Sequence, residues 1–306
     1  MTTRLLDSFR RVSRSSPCPN CERPDWCLIG KPGTEFDGAT ICTRIESPHR
    51  FGQAGWLHRH DGWKGRAGKR PDVVLPLNRS TPASPTIARI ADEARRALSA
   101  ESLASLSRRL QVSATGLKLL DVGEITPRLA HEEGCSWATE SWSFPMRNAR
   151  GEVVGIRLRK RDGTKLTWPG GREGLFIPSG IDASQGIVLP EGVTDTAAAL
   201  DLGLAAVGRP SCTGGRQAVL ELVRRHKPAR VVVVADQDTP GRTGAMELAR
   251  ALVLLAADVR LVAPPESVKD LRAWFIAGAT PESLRAAIDS AEPLRISLRR
   301  RAGGCS

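Results

Sequence analysis

Two sets of side chains have types and spacings that can do chemistry. The first is acidic. An apolar run, Ile187 to Leu189, ends in Pro190, Glu191 and Gly192, with Asp195 at the start of the helical pattern that follows. A β-branched run, Val231 to Val234, ends in Ala235, Asp236, Gln237 and Asp238, and Gly241 then opens a second helical pattern. Continuous apolar runs of this kind read as strands buried on both faces of a parallel sheet. The carboxyl ends of such strands are where open α/β sheets collect ligands. Three or more carboxylates converging beside a glycine-permitted turn form an oxygen-donor site for hard divalent cations such as Mg²⁺. The competing reading is structural, with aspartates capping the helices that follow each strand.

The second set is made of thiols. Cys18 and Cys21 are separated by two residues, a spacing that lets one tight turn offer two thiolates to a tetrahedral Zn²⁺. Cys27 lies in one short apolar run and Cys42 in another, and the polar stretch KPGTEFDGA between them predicts a hairpin that sets Cys27 opposite Cys42. Four thiolates would close one structural zinc site. His49 is a rival fourth ligand, ranked below Cys27, and a redox-active or merely buried cysteine pair is the alternative. Cys135, Cys212 and Cys305 stand alone and read as ordinary residues. Clustered thiols of this kind favour metal over disulfides.

A basic surface lies between the two sets. Residues 150–173 hold seven basic side chains against three acids, and the stretch alternates like a strand pair, with turns at Asn148–Gly151 and Asp162–Gly163. On a strand Arg157, Arg159 and Arg161 project to one face, a track for a polyanion, with a solvated edge strand as the alternative. Nearer the N-terminus, Trp56 and Trp63 are interleaved with His58, Arg59, His60 and Lys64. Aromatics among cations can stack bases and bind phosphates, or cover a small metal core.

The elements that must position these groups follow in order. A basic arm, expected to be poorly ordered through residue 16, opens a cysteine-bearing ribbon over 1–64, and a Gly/Pro/Arg/Ser-rich linker with one short apolar run (Val73 to Leu77) spans 65–85. A helical segment occupies 86–134, with helical periodicity over 86–122, Ser99 as an N-cap and a break at Val112–Ser113; it reads as a packing bundle in preference to a groove-reading helix-turn-helix. The basic β-rich subdomain covers 135–183. Over 184–292 strands and helices alternate at the spacing of a parallel sheet with right-handed crossovers, and a basic tail closes the chain at 293–306. The 306 residues suffice for two domains, and 41% apolar content suits a globular protein. A formal charge of +12 favours a phosphate-rich partner and salt-sensitive binding. No run has membrane-span length and the N-terminus lacks a signal-peptide core, so a cytoplasmic protein is expected.

Glu191-Gly192, Asp195, Asp236-x-Asp238 and Gly241 resemble, in type, order and spacing, the TOPRIM domain shared by bacterial primases, topoisomerases and some nucleases. Lys269-Asp270 resembles the Lys-Asp after the last strand of bacterial-type primases. WSFPMRNARGEVVGIRLR resembles the strand pair of the primase core, and Lys165 sits where that family has a lysine before a run like GLFIPSG (Gly174 to Gly180). Ribbon, linker, basic subdomain and then TOPRIM is the primase order.

The resemblance implies an α/β fold, with a C-terminal TOPRIM sheet and flanking helices preceded by a β-rich primase-core subdomain, a helical segment and a zinc ribbon. It also implies a nucleotidyltransferase that makes short primers from nucleoside triphosphates on single-stranded DNA, associated with a nucleoid or replisome. Glu191, Asp236 and Asp238 would hold two or more Mg²⁺ or Mn²⁺, with Asp270 an outlying ligand and Asp195 supporting the Glu191 turn. Arg159 and Lys165 would hold the template, and Lys269 a phosphate. The chain departs from the family in using four cysteines where a histidine is usual. It has no Walker A sequence, and its last residues are too few for a helicase-docking domain, so any replicative helicase is expected as a separate protein. The absence of tyrosine excludes a topoisomerase. A metal-dependent nuclease and a non-catalytic zinc/TOPRIM DNA-binding recombination module are the alternatives.

Overall fold

The computed structural model describes residues 8–34, 36–49, 51, 55–60 and 84–295. The first seven residues, Trp63, Lys64, nearly all of the expected linker with its Val73–Leu77 strand, and the tail beyond residue 295 lie outside the described residues. The chain divides into two units, Met1–Leu77 and Asn78–Ser306.

In the smaller unit four short strands, β1 (Phe9–Arg11), β2 (Leu28–Gly30), β3 (Ala39–Cys42) and β4 (Trp56–Arg59), form one antiparallel sheet in that order. β1 corrects the expectation of a loose arm through residue 16: Phe9, Arg10 and Arg11 pair with β2. Phe9 is buried with Ala39, Ile41 and Leu57. Its ring lies 4.7 Å from that of Phe36, tilted by 37°, and meets Phe51 edge-on at 5.8 Å. An aromatic anchor of this area is enough to fix three residues of basic chain.

The larger unit begins with helices α1 (Pro85–Ala97), α2 (Ala100–Leu110) and α3 (Ala114–Leu119), each opened by a serine N-cap at Ser84, Ser99 and Ser113. α2 and α3 form a packing bundle, because Leu103, Leu106, Leu110 and Leu117 are buried against Trp142, Phe144 and Met146. Strand β5 (Gly123–Ile125) and helix α4 (Pro127–Glu132) follow, then β6 (Ser141–Arg147), β7 (Val153–Arg159) and β8 (Lys165–Thr167). β5 to β8 make an antiparallel sheet in sequence order. Both expected turns are present: Gly151 N–H donates to Asn148 O, and Gly163 N–H to Lys160 O.

The remaining elements are β9 (Ile187–Leu189), α5 (Gly192–Asp201), α6 (Arg216–His226), β10 (Arg230–Val234), α7 (Thr239–Leu252), β11 (Asp258–Val262), α8 (Leu271–Ile276) and α9 (Pro281–Ser290). β10 lies between β9 and β11, parallel to both. Residues 206–209 add to the outer side of β9 through the parallel bridges Val188–Ala206 and Glu191–Arg209. Side chains alternate across this sheet. Ile187, Leu189, Val231, Val233 and Val259 pack toward Val219, Val223, Ala245 and Leu248 of α6 and α7. Val188, Val232, Val234 and Val262 pack with Leu202, Leu271, Leu284 and Ile288, from α5, α8 and α9. Both faces are covered, which is why the strands read as unbroken apolar runs. The two sheets are continuous in hydrogen bonding: Leu175 pairs with Arg147 of β6, and the next residue, Phe176, pairs with Gly208. Among the described residues no helix is long and apolar enough to cross a membrane.

Candidate functional site

The carboxyl ends of β9 and β10 and the loop after β11 bring the predicted acids to one rim. Glu191 lies two residues past β9, after Pro190, and stands at the N-cap position of α5, with no capping bond from its side chain. Asp236 lies two residues past β10. Asp238 caps α7, its Oδ1 accepting the Gly241 N–H at 2.7 Å, and Asp270 caps α8, its Oδ1 accepting the Ala273 N–H at 2.7 Å. Each cap uses one carboxylate oxygen and leaves the other for a second partner. A Cβ on Gly241 would come within 2.7 Å of the Asp236 Cβ, so only glycine lets α7 start this close to the acid. Asp195 is buried, and its Oδ1 accepts the Arg272 N–H at 2.8 Å. That bond ties the first turn of α5 to the start of α8.

The acids are close enough to oppose one another's ionisation. Asp236 is pushed up from 3.8 to about 7, by desolvation first and then by the charges of Asp195, Glu191, Asp270 and Asp238. Burial, followed by Asp270, raises Asp195 to about 6. Burial also raises Glu191, with Arg209 acting in the opposite sense. The Oε2 atom of Glu191 is buried without a hydrogen-bond partner. A rim of hard oxygen donors that repel one another, one of them unsatisfied, fits a divalent cation in chemistry and charge. The carboxylates are not drawn together as tightly as the four thiols of the smaller unit.

Cations face this rim. In the β7–β8 hairpin Arg159 pairs directly with Lys165, and Arg157 with Thr167. Arg157 and Arg159 share one face of β7 while Leu158 between them is buried. The Arg159 guanidinium is lowered by desolvation and then by Arg109 and Arg272, and its Nε is buried without a partner. Lys165 is solvent-accessible, yet desolvation lowers it, as do Arg159, Lys269 and Arg157, against the pull of Asp195. Lys269 is thus within electrostatic reach of the hairpin. Arg161 differs from its expected companions. It lies past the end of β7, ion-paired with Glu124, hydrogen-bonded to Ser102 Oγ at 3.0 Å and stacked 3.7 Å over the Trp142 ring. Three further arginines at the site, Arg109, Arg209 and Arg272, were not expected. Arg109 ends a helix where basic residues are common for dipole reasons, so its type and position carry no functional signal.

In the smaller unit the hairpin places Cys27 beside Cys42, their sulfurs 3.9 Å apart, and Cys21 Sγ is 3.7 Å from Cys27 Sγ. The four Sγ atoms of Cys18, Cys21, Cys27 and Cys42 all lie within 4.8 Å of one another. Zn–S bonds of about 2.3 Å in a tetrahedron require sulfurs roughly 3.8 Å apart, so the set fits zinc. The backbone N–H groups of Arg44 and Ile45 donate to Cys42 Sγ at 3.4 and 3.2 Å, and Arg44 Nη1 reaches Cys21 Sγ at 3.7 Å. Such donors favour thiolate over thiol. His49 is not a member of the cluster, and Cys135 is buried in a hydrophobic core. The imidazoles of His58 and His60 bond Ile45 O at 2.9 Å and Thr40 Oγ1 at 3.0 Å, a structural use of both. Trp26, next to Cys27, is 74% exposed and has a left-handed backbone with φ of 63°.

No protein-family profile matches this chain, and no curated protein matches it. Solved structures do. A DnaG catalytic core is 17% identical with a TM-score of 0.53, over 68% of this chain and 81% of that one. The zinc-binding and RNA polymerase domains of the Aquifex aeolicus primase give 18% and 0.54, over 68% of this chain and 60% of that one. A DnaG primase catalytic domain solved with bound single-stranded DNA gives 17% and 0.53, over 68% and 79%. At these identities the likeness is one of fold: over about two thirds of its length, this chain is built like a primase catalytic core.

Proposed function

We propose that this chain is a DNA primase-like nucleotidyltransferase of the TOPRIM type, joining nucleotides on a single-stranded DNA template. The observation that carries the reading is the set of mutually repelling carboxylates at one rim of the parallel sheet, within electrostatic reach of the cationic β7–β8 hairpin. Glu191, Asp236 and Asp238, with Asp270 farther out, would hold two or more Mg²⁺ or Mn²⁺. Bound there, the ions supply charge neutralisation at a triphosphate and a lowered pKa for an attacking 3′-hydroxyl. Arg157, Arg159 and Lys165 bind template phosphates, and Lys269 orients a phosphate of the incoming nucleotide. Asp195, tied to the start of α8, keeps Glu191 and Asp270 in mutual register. One zinc ion held by Cys18, Cys21, Cys27 and Cys42 would order the smaller unit, whose exposed aromatic and cationic groups contact single-stranded DNA.

The test is ribonucleotide polymerisation by the full chain on single-stranded DNA with Mg²⁺. Short template-dependent products that disappear in Asp236→Ala support the reading. Template shortening in their place assigns water as the nucleophile and makes the chain a nuclease. Neither reaction, with DNA affinity unchanged in Asp236→Ala, leaves a binding module.

A further inference from the structure

Among the described residues of the larger unit, Arg209 is the most deeply buried cation. It is 1% exposed, and among the described residues no carboxylate lies within ion-pair distance of it. A guanidinium so placed is costly unless something nearby needs its charge. Its position is set by the main chain. Arg209 N–H donates to Pro190 O at 2.9 Å, and Gly192 N–H donates to Arg209 O at 2.7 Å, so Arg209 is the lateral neighbour of Glu191 in the adjoining strand. The side chain then reaches past the end of β9. Nη2 donates to Val234 O, the last residue of β10, at 3.1 Å, and Nη1 donates to Cys212 O at 3.1 Å. The Nε–H has no partner, and neither has Glu191 Oε2. Glu191 and then Asp236 are the acids whose charges act most strongly on it. A fixed positive charge therefore lies between the strand ends that carry the two acids.

We propose that Arg209 is a resident counter-cation of the acid rim: held by main-chain carbonyls beside Glu191 and Asp236, it keeps the carboxylates assembled when no metal is bound and weakens the binding of divalent ions to them. The inference rests on the reading of those acids as a metal site. A guanidinium cannot shed its proton near neutral pH, so its charge stays when a divalent ion enters, and the two repel. Arg209 is a positioning residue in this scheme, acting through Glu191 and Asp236.

The experiment uses the full chain, stripped with EDTA, in calorimetric titration with MnCl₂ and in thermal melts with and without Mn²⁺. Arg209→Met and Arg209→Gln are expected to bind Mn²⁺ roughly fivefold or more tightly than wild type, to melt lower without metal, and to gain more from Mn²⁺. Arg209→Lys, which keeps the charge, is expected to bind Mn²⁺ like wild type. Adding Glu191→Gln to Arg209→Met is expected to restore the metal-free melting temperature, since it removes the repulsion that Arg209 had offset. Unchanged or weaker Mn²⁺ binding in Arg209→Met and Arg209→Gln, in proteins with wild-type circular dichroism, would overturn the proposal. If Arg209→Met does not fold and Glu191→Gln does not rescue it, Arg209 supplies only its main-chain hydrogen bonds, and the proposal fails. Wild-type protein that shows no saturable Mn²⁺ binding sensitive to Asp236→Asn would bring down the metal-site reading itself, and this inference with it.

Discussion

The backbone N–H of Gln237 donates to the carbonyl of Lys269 at 2.8 Å, fastening the Asp236–Asp238 turn to the loop that carries Lys269 and Asp270. The Gln237 side-chain amide reaches the same loop again, donating to Pro264 O, while its carbonyl accepts from Arg242 in the helix that follows. The residue between two acids is thus the clamp between two loops. Gln237→Ala removes the side-chain half of that clamp. It should lower Mg²⁺-dependent activity by about tenfold while changing single-stranded DNA affinity little. Steady-state kinetics beside an anisotropy titration would check this, and equal loss in both would assign Gln237 to DNA binding.

Asp236 makes the metal-free protein sensitive to pH, with a definite sign. Its carboxyl rises from 3.8 to about 7 on folding, so the native state holds the proton more tightly than the unfolded chain. The resulting stabilisation is full below pH 3.8 and is lost as pH rises through about 7. Asp195, raised to about 6, contributes in the same direction. In EDTA, wild type should lose several degrees more than Asp236→Asn between pH 5 and pH 8, and the variant should be the more stable at pH 8. Parallel melting curves across that range would show that neither burial nor the neighbouring acids raise Asp236 on folding.

Replacing both Arg159 and Lys165 with alanine should flatten the dependence of log K on log salt for single-stranded DNA by about 1.4, roughly 0.7 for each lost phosphate contact. Arg161→Ala should leave the slope alone and destabilise the fold instead, because its partners are Glu124, Ser102 and Trp142. An unchanged slope in the double variant would place the template track elsewhere.

Cys42→Ser should reduce bound zinc from about one per chain to near zero and unfold the smaller unit, whose apolar core rests on Phe9, Ala39, Ile41 and Leu57. Zinc release measured with a chromogenic chelator, together with amide exchange in β1 to β4, reads both effects. Trp26→Ala should spare zinc and stability, because the ring is 74% exposed, and cost single-stranded DNA binding about 1 kcal/mol through lost base stacking. Full DNA affinity in that variant would return Trp26 to an ordinary surface role.

The parallel sheet was readable because both its faces are covered, so Ile187–Leu189 and Val231–Val234 are apolar without alternation. The acids were readable because Glu191 and Asp236 each come two residues after an apolar strand, and Asp238 and Asp270 each open a helix. Other features had no such mark. β1 is a phenylalanine followed by two arginines, and what makes it a strand is contact between Phe9 and aromatic rings far along the chain. α8 is six residues long after a Pro-Pro-Glu loop, too short for periodicity to register. Arg209 reads as a loop arginine before a proline, and its burial depends on strand neighbours that local pattern does not reveal. Arg161 was assigned to a face by strand alternation, but the strand stops at Arg159 and the Asp162–Gly163 turn redirects the chain.

Because Leu175 bonds the antiparallel sheet and Phe176 the parallel one, the two are stitched by consecutive residues of a single segment. Neither can shed its pairing there without loosening the other. Amide protons of β6 and β10 should therefore exchange with one shared opening energy, as parts of one cooperative block, and a template pulling on the cationic hairpin would load the acidic rim mechanically through that seam.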